Sequence, residues 1–183
     1  MADTPDDPLE VMAAGRFLRM VKRGRWEYVD RHNTTGAVAV VAVTDAGELV
    51  LIEQYRVPMG KACIELPAGL AGDGADRDEA FELAARRELE EETGYRAENM
   101  RHLYQVCTSP GMTSETIDLF LATGLTRVGE GGGAAGEGED IKVHRVALDE
   151  ADRWVAQRAA GGDCIDVKVY LGIALARDIS KQV

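Results

Sequence analysis

Residues 87–95, Arg87-Glu88-Leu89-Glu90-Glu91-Glu92-Thr93-Gly94-Tyr95, decide how this chain is read. The composition predicts a helix over 79–93, closed by Gly94. On that helix Glu88 and Glu92 lie one turn apart, with Glu91 beside them. At about 100° per residue the three carboxylates fall within an arc of roughly 100°. Phe81, Ala84 and Ala85 share that side, whereas Glu82, Arg86 and Glu90 point away. Small and apolar neighbours therefore mark the carboxylate face as the inward one. Like charges spaced i,i+4 destabilise a helix by about 0.2–0.5 kcal/mol per pair. Acidic groups near a helix C-terminus also oppose the macrodipole, and burial raises the cost. A solvated acidic face would avoid these penalties; an inward one needs a cation. Magnesium takes hard oxygen ligands and bridges carboxylates to phosphate oxygens.

Outward from this helix, the chain reads as one domain of mixed elements. Upstream, residues 37–43 (AVAVVAV) form a β-branched run expected to be a buried strand, and 49–55 (LVLIEQY) the returning strand after the turn at Asp45-Ala46-Gly47. A short apolar piece at 63–66 ends at Pro67-Ala68-Gly69. Downstream, 103–107, 117–122 and 141–148 read as strands, and 149–159 and 166–179 as helices. Residues 129–138 are a glycine-rich loop, too short to divide domains. Without a regular βαβ alternation, the expected class is α+β. Residues 1–10 are expected to be a disordered tail, 11–36 an N-terminal β segment carrying Trp26 and Tyr28 in strand alternation, and 37–183 the main domain.

The chain has 183 residues, 45% of them hydrophobic, enough for one core. No stretch approaches the roughly 18–20 apolar residues of a membrane span. Residues 1–8 do not resemble a targeting segment. With 32 acidic and 21 basic residues the formal charge is −11. Such a surface repels nucleic acid and anionic membranes, so neither is expected as a partner. A phosphate-bearing substrate would need local cations. Cys63, Cys107 and Cys164 are far apart, odd in number and without a Cys-x-x-Cys pair. They read as reduced thiols of a cytoplasmic protein, not as a disulfide framework or zinc site.

The segment 79–95 resembles the core of the Nudix box, Glu-x7-Arg-Glu-U-x-Glu-Glu-x-Gly-U, where U is usually aliphatic. Glu79, Arg87, Glu88, Leu89, Glu91, Glu92 and Gly94 fall in place, and Tyr95 takes the last U. Asp73 stands where the leading glycine is expected. Gly69 is the equivalent, reached through a loop four residues longer. The resemblance implies that Glu88, Glu91 and Glu92, with the backbone carbonyl of Ala68, bind Mg2+, for which Mn2+ can substitute. It implies that Glu79 and Arg87 brace loop and helix. It also implies a Nudix α/β/α sandwich with a mixed central sheet, preceded by a small antiparallel sheet swapped in a homodimer.

The resemblance extends to the ADP-ribose and nucleoside diphosphate sugar pyrophosphatases. Arg56-Val57-Pro58-Met59-Gly60 and Ile64-Glu65-Leu66-Pro67-Ala68-Gly69-Leu70 match that branch, as do Ser109-Pro110-Gly111 and Glu115. Pro110 lies 16 residues after Gly94, the spacing of the ADP-ribose branch; nucleoside triphosphate hydrolases fit the box but not this spacing. By the same resemblance Trp26 stacks on the nucleobase, and Arg31 and Arg56 lie near phosphates or ribose. A glutamate in the glycine-rich loop deprotonates or orients the attacking water; Glu139 matches best, then Glu137, with Glu91 a further candidate for catalysis. Lys168 matches a lysine of GDP-mannose-type relatives and keeps that substrate open. The implied reaction is Mg2+-dependent cleavage of ADP-ribose to AMP and ribose 5-phosphate. The alternatives are a GDP-mannose or broad nucleotide-sugar hydrolase and, of another class, a sensor without turnover. Sensors tend to lose box carboxylates, and this chain keeps them all.

Overall fold

A computed structural model describes residues 7–32, 34–72, 79–133 and 140–180. Three strands come first: β1 (Leu9–Ala14), β2 (Leu18–Arg23) and β3 (Trp26–Arg31). They form a separate antiparallel sheet in the order β1-β2-β3. There follow β4 (Gly36–Val43), β5 (Glu48–Arg56), β6 (Lys61–Glu65) and β7 (Ala68–Ala71), then helix α1 (Phe81–Thr93). The chain continues through β8 (Tyr95–Cys107), β9 (Thr116–Arg127), β10 (Lys142–Ala147), α2 (Ala151–Ala160), β11 (Cys164–Ile165) and α3 (Val167–Ser180).

The second sheet has eight strands, with β11-β6-β5-β4-β9-β8 as its main path; β10 pairs with β5 and β7 with β4. The β4–β9 and β11–β6 pairs are parallel and the others antiparallel, so the sheet is mixed. Strand β4 is apolar on both sides because both sides are covered. Ala37, Ala39 and Val41 join the core shared with α2 and α3; Val38, Val40 and Ala42 join the core shared with α1. Two cores on two faces make the expected α/β/α sandwich. Among the described residues no helix is long and apolar enough to cross a membrane.

Helix α1 shows why the carboxylate face turns inward. Ala84, Ala85 and Leu89 are buried against β4, β8 and β9, and they drag Glu92 and Thr93 inside with them. On the other side Glu82 pairs with Arg86 and Glu90 with Arg96, as the helical period requires. The helix ends where Gly94 takes φ +71° and donates its N–H to the Glu90 carbonyl. A Cβ at Gly94 would also fall 2.2 Å from the Gly129 carbonyl oxygen, so the position demands glycine twice over.

Several boundaries differ from those expected. Helix α1 opens at Phe81, not at 79, because the backbone of Ala80 is extended (φ −65°, ψ 139°) and makes it the N-cap. Strand β8 begins at Tyr95, not 103, and β9 runs to Arg127. Strand β7 occupies residues that read as a turn, and β1 begins at Leu9, inside the stretch read as a tail. Gly36 already belongs to β4.

The N-terminal sheet docks on the loop between β8 and β9. Val29 N–H donates to the Met112 carbonyl at 2.8 Å, and Ser114 N–H donates to the Val29 carbonyl at 3.1 Å. Every residue of β1 is exposed. Leu9, Val11, Met12, Phe17, Leu18, Met20 and Trp26 are each 41–54% exposed, an apolar density that isolated surface residues do not reach.

Candidate functional site

The site grows from the contact between α1 and the β6–β7 turn. Glu92 is 3% exposed, and its carboxylate accepts a hydrogen bond from Ala68 N–H at 2.9 Å. Glu88 lies hard against Gly69: a Cβ there would fall 2.0 Å from the carboxylate. Only glycine permits this approach, which supports Gly69 as the box's leading glycine. Thus the turn Pro67-Ala68-Gly69 and the carboxylates Glu88 and Glu92 come together as expected.

Arg87 is the hub of the brace. Its guanidinium lies 3.1 Å from Glu79, 2.8 Å from Glu88 and 3.1 Å from Glu91, and donates to the Leu70 carbonyl at 3.0 Å. Glu79 also accepts from Gly72 N–H at 3.3 Å, which ties the start of the box loop to the helix. The Arg87 hydrogen bond, partly offset by burial, holds the Glu79 carboxyl below its usual range. The same pair, with the neighbouring glutamates, holds Arg87 firmly protonated. The expected Glu79–Arg87 pair is present, and Arg87 binds two candidate metal ligands as well.

The donor set fits a hard divalent cation. Glu79, Glu88 and Glu91 gather around the Arg87 guanidinium, Glu92 meets the adjacent β6–β7 turn, and every one of these side chains offers oxygen ligands. Among the described residues no three His, Cys, Asp or Glu side chains stand together in an arrangement that would by itself hold a metal ion. Magnesium is ordinarily held by one or two carboxylates together with water and substrate oxygens, not by an all-protein cage.

Arg56, at the end of β5, donates to both oxygens of Glu65 at 2.6 and 2.8 Å across the β5–β6 hairpin. Glu65 is 6% exposed while the Arg56 side chain remains 40% exposed. This bidentate bond, along with attraction to Glu92, raises the Arg56 pKa. The arginine is therefore fixed, charged and within electrostatic reach of the carboxylate helix. Glu65 was not among the expected site residues; its spacing from Arg56 becomes informative only once the hairpin register is known.

Arg31 meets Glu115 at 2.8 Å, just beyond the loop that carries exposed Pro110. Glu115 thereby becomes part of the candidate site. Trp26 is on the same strand as Arg31, but five residues away. In the regular β2–β3 register, residues an odd number apart project from opposite faces. Five steps also separate them by roughly 17 Å. Trp26 and Arg31 therefore project from opposite faces of the N-terminal sheet. Lys168 is 8% exposed, and its ammonium lies 2.5 Å from Asp166, so its charge is already engaged.

Glu137 and Glu139 lie outside the described residues. The flanks of that segment are nonetheless informative. Gly132 N–H donates to the Glu92 carbonyl at 2.9 Å, and Gly133 N–H donates to the Glu91 carbonyl at 3.1 Å. Ile141 N–H returns to the Gly132 carbonyl at 3.4 Å. On one flank Gly132 and Gly133 are thus anchored to the last turn of the carboxylate helix, and on the other Ile141 is anchored to Gly132.

Comparison with known proteins agrees with this geometry. The NUDIX domain matches residues 33–162, which include the whole carboxylate helix and its brace. An ADP-ribose pyrophosphatase of Bacillus subtilis is 41% identical over 123 residues, covering 67% of this chain and 64% of that protein. A methanol dehydrogenase activator of Bacillus methanolicus gives the same identity and the same coverage. The chain therefore spans a little under two thirds of the length of these two relatives. A GDP-mannose pyrophosphatase of Cronobacter sakazakii is 38% identical over 146 residues, 75% of this chain and 71% of that protein. The crystal structure of an ADP compounds hydrolase superposes with a TM-score of 0.74, covering 96% of this chain and 92% of that one. At 23% identity it shows that the fold is shared.

Proposed function

The chain belongs to the NUDIX family, in its ADP-ribose and nucleoside diphosphate sugar pyrophosphatase branch, and from that premise we propose that it hydrolyses the diphosphate bond of ADP-ribose. One observation carries the reading: a carboxylate helix buried against the β6–β7 turn, with charged Arg56 beside it. Water adds to one phosphorus, the bridging P–O bond breaks, and the products are AMP and ribose 5-phosphate. Mg2+, or Mn2+ in its place, would be held by Glu88, Glu91, Glu92 and the Ala68 carbonyl and would supply charge neutralisation at the phosphate oxygens. Arg56 and Arg31, held by Glu65 and Glu115, orient the anionic substrate in an otherwise acidic protein. Glu139, or failing that Glu137, takes the proton of the attacking water; Glu91, partly exposed beside Arg87, is the remaining candidate.

The runner-up substrate is GDP-mannose, favoured by the Cronobacter relative. Lys168, the residue that kept this open, is engaged by Asp166, which weighs against it. A panel of ADP-ribose, GDP-mannose and other nucleotide sugars with Mg2+, read by product analysis, decides. ADP-ribose should give the highest kcat/KM, and EDTA should abolish turnover. Preference for GDP-mannose would overturn the substrate, and EDTA-resistant activity would overturn the metal.

The opposite faces of β3 support a reading of the assembly. We propose a homodimer in which Arg31 serves its own subunit's site and Trp26 walls the nucleobase pocket of the partner. The exposed apolar residues of the N-terminal sheet favour a second copy as cover, because a small sheet alone is marginally stable. Base–aromatic stacking contributes about 1–3 kcal/mol. Trp26→Ala should therefore raise KM by roughly five- to a hundredfold and leave kcat nearly unchanged. Mixed with Glu92→Gln chains, it should regain activity beyond either parent, since one site in each mixed dimer has both residues intact. No recovery despite proven subunit exchange would return Trp26 to its own subunit or remove it from the site.

A further inference from the structure

Two of the three cysteines meet in the fold. Strand β11 pairs in parallel with β6, and in that register Cys164 lies directly opposite Cys63. Register partners on neighbouring strands share one face of the sheet. Their Cα atoms are about 4.8 Å apart by strand spacing, inside the roughly 4.4–6.8 Å span that disulfides accept. Both thiols are free, and the Cys63 thiol donates to the Lys61 carbonyl at 4.0 Å. Cys63 is 4% exposed, whereas Cys164 is half-buried on a two-residue strand at the sheet's edge. An edge strand this short can shift to meet disulfide geometry without disturbing the central pairs.

The pair also faces the proposed site. Cys63 and Glu65 are two apart on β6, and Gln54, Cys63's partner on β5, is two from Arg56. Alternation therefore places Cys63, Cys164, Glu65 and Arg56 on one face, with Ile64 and Ile165 on the other, in the core with α2 and α3.

We propose that Cys63 and Cys164 are a peroxide-responsive modification site, closing to an intramolecular disulfide beside the Arg56–Glu65 pair. The Cys164 thiolate attacks hydrogen peroxide; the O–O bond breaks, hydroxide leaves, and a sulfenic acid forms. The Cys63 sulfur then displaces that oxygen as water, and the S–S bond forms. Two thiols lose two electrons and two protons, and one peroxide becomes two waters. The order follows from the environments. Burial and the neighbouring Cys164 thiol push the Cys63 thiol up to about 11, so Cys63 is a poor first nucleophile and the more accessible Cys164 is oxidised first; Cys63 then gives up its proton to the departing hydroxide as its sulfur attacks. Exposed Cys107 has no thiol opposite it and serves as the internal control.

The test is mild hydrogen peroxide on the full chain, followed by alkylation, intact mass and peptide mapping. Free thiols should fall from three to one, with Cys107 left alkylatable, a 63–164 crosslinked peptide and full reversal by dithiothreitol. Cys107→Ser should leave the crosslink in place, and Cys164→Ser should abolish it. Oxidation confined to Cys107, or crosslinks only between chains, would overturn the proposal. Mapping of the unsubstituted chain decides even if the Cys164 variant misfolds.

Discussion

Glu92→Gln is expected to lower kcat/KM for ADP-ribose by at least about a hundredfold, equivalent to ~2.7 kcal/mol of transition-state stabilisation. The substitution is chosen for what it preserves. Glutamine keeps a side-chain oxygen of the same reach, so the hydrogen bond from Ala68 N–H can persist, and the buried volume is unchanged. It removes the negative charge and puts an amide NH2 in place of one carboxylate oxygen. If Glu92 served merely to tie helix α1 to the β6–β7 turn, the variant would fold and turn over normally. If it ligates metal, the variant folds, binds Mg2+ more weakly and loses turnover. Melting temperature and Mg2+ titration separate the two. Full activity at saturating Mg2+ would remove Glu92 from the ligand set. Glu88→Gln is a less clean probe because Arg87 bonds the Glu88 carboxylate directly.

The parts of the site legible in the sequence are those that lie on one element. Glu88, Glu91 and Glu92 share a face because the helical period fixes it, and Ala84, Ala85 and Leu89 show which face is inward. The Glu79–Arg87 brace came from the family pattern and sits at 3.1 Å. What the sequence hides is pairing between elements. Glu65 grips Arg56 only because the β5–β6 hairpin, with 65 opposite 52 and 61 opposite 56, puts the two long side chains on one face where they reach each other along the strands. Arg31 meets Glu115 because β3 docks on a loop more than eighty residues away. Cys63 and Cys164 look unrelated until a parallel register joins them. Strand β7 read as a turn because proline and glycine flank Ala68; its pairing with β4 overrides that local signal. Strand β8 carries so many exposed polar residues that only its last third looked like a strand. Strand β1 was hidden for a related reason: with every side chain exposed, it shows no buried alternation.

Glu139→Gln is expected to lower kcat by about 10²–10⁴, the range for losing a general base, with little change in substrate binding. Glu137→Gln should cost less. The argument rests on the anchors of the glycine-rich stretch. Gly132 and Gly133 donate to the carbonyls of Glu92 and Glu91, the very residues proposed to hold the metal. Ile141 N–H closes back on Gly132, only two positions beyond Glu139. A residue two steps from such an anchor lies within about 7 Å of it along the chain. In sequence Glu139 stands two residues before Ile141 and Glu137 four, so Glu139 is the nearer of the two to that anchor along the chain. The pH profile adds a test independent of magnitude. A general base must be ionised, so kcat should fall as pH drops through its pKa, and Glu139→Gln should erase that acidic limb while Glu137→Gln keeps it. If the Glu137 variant is the crippled one and loses the limb, the base lies two residues earlier. If both variants keep full kcat and the limb, the base is not in this loop and Glu91 becomes the residue to test.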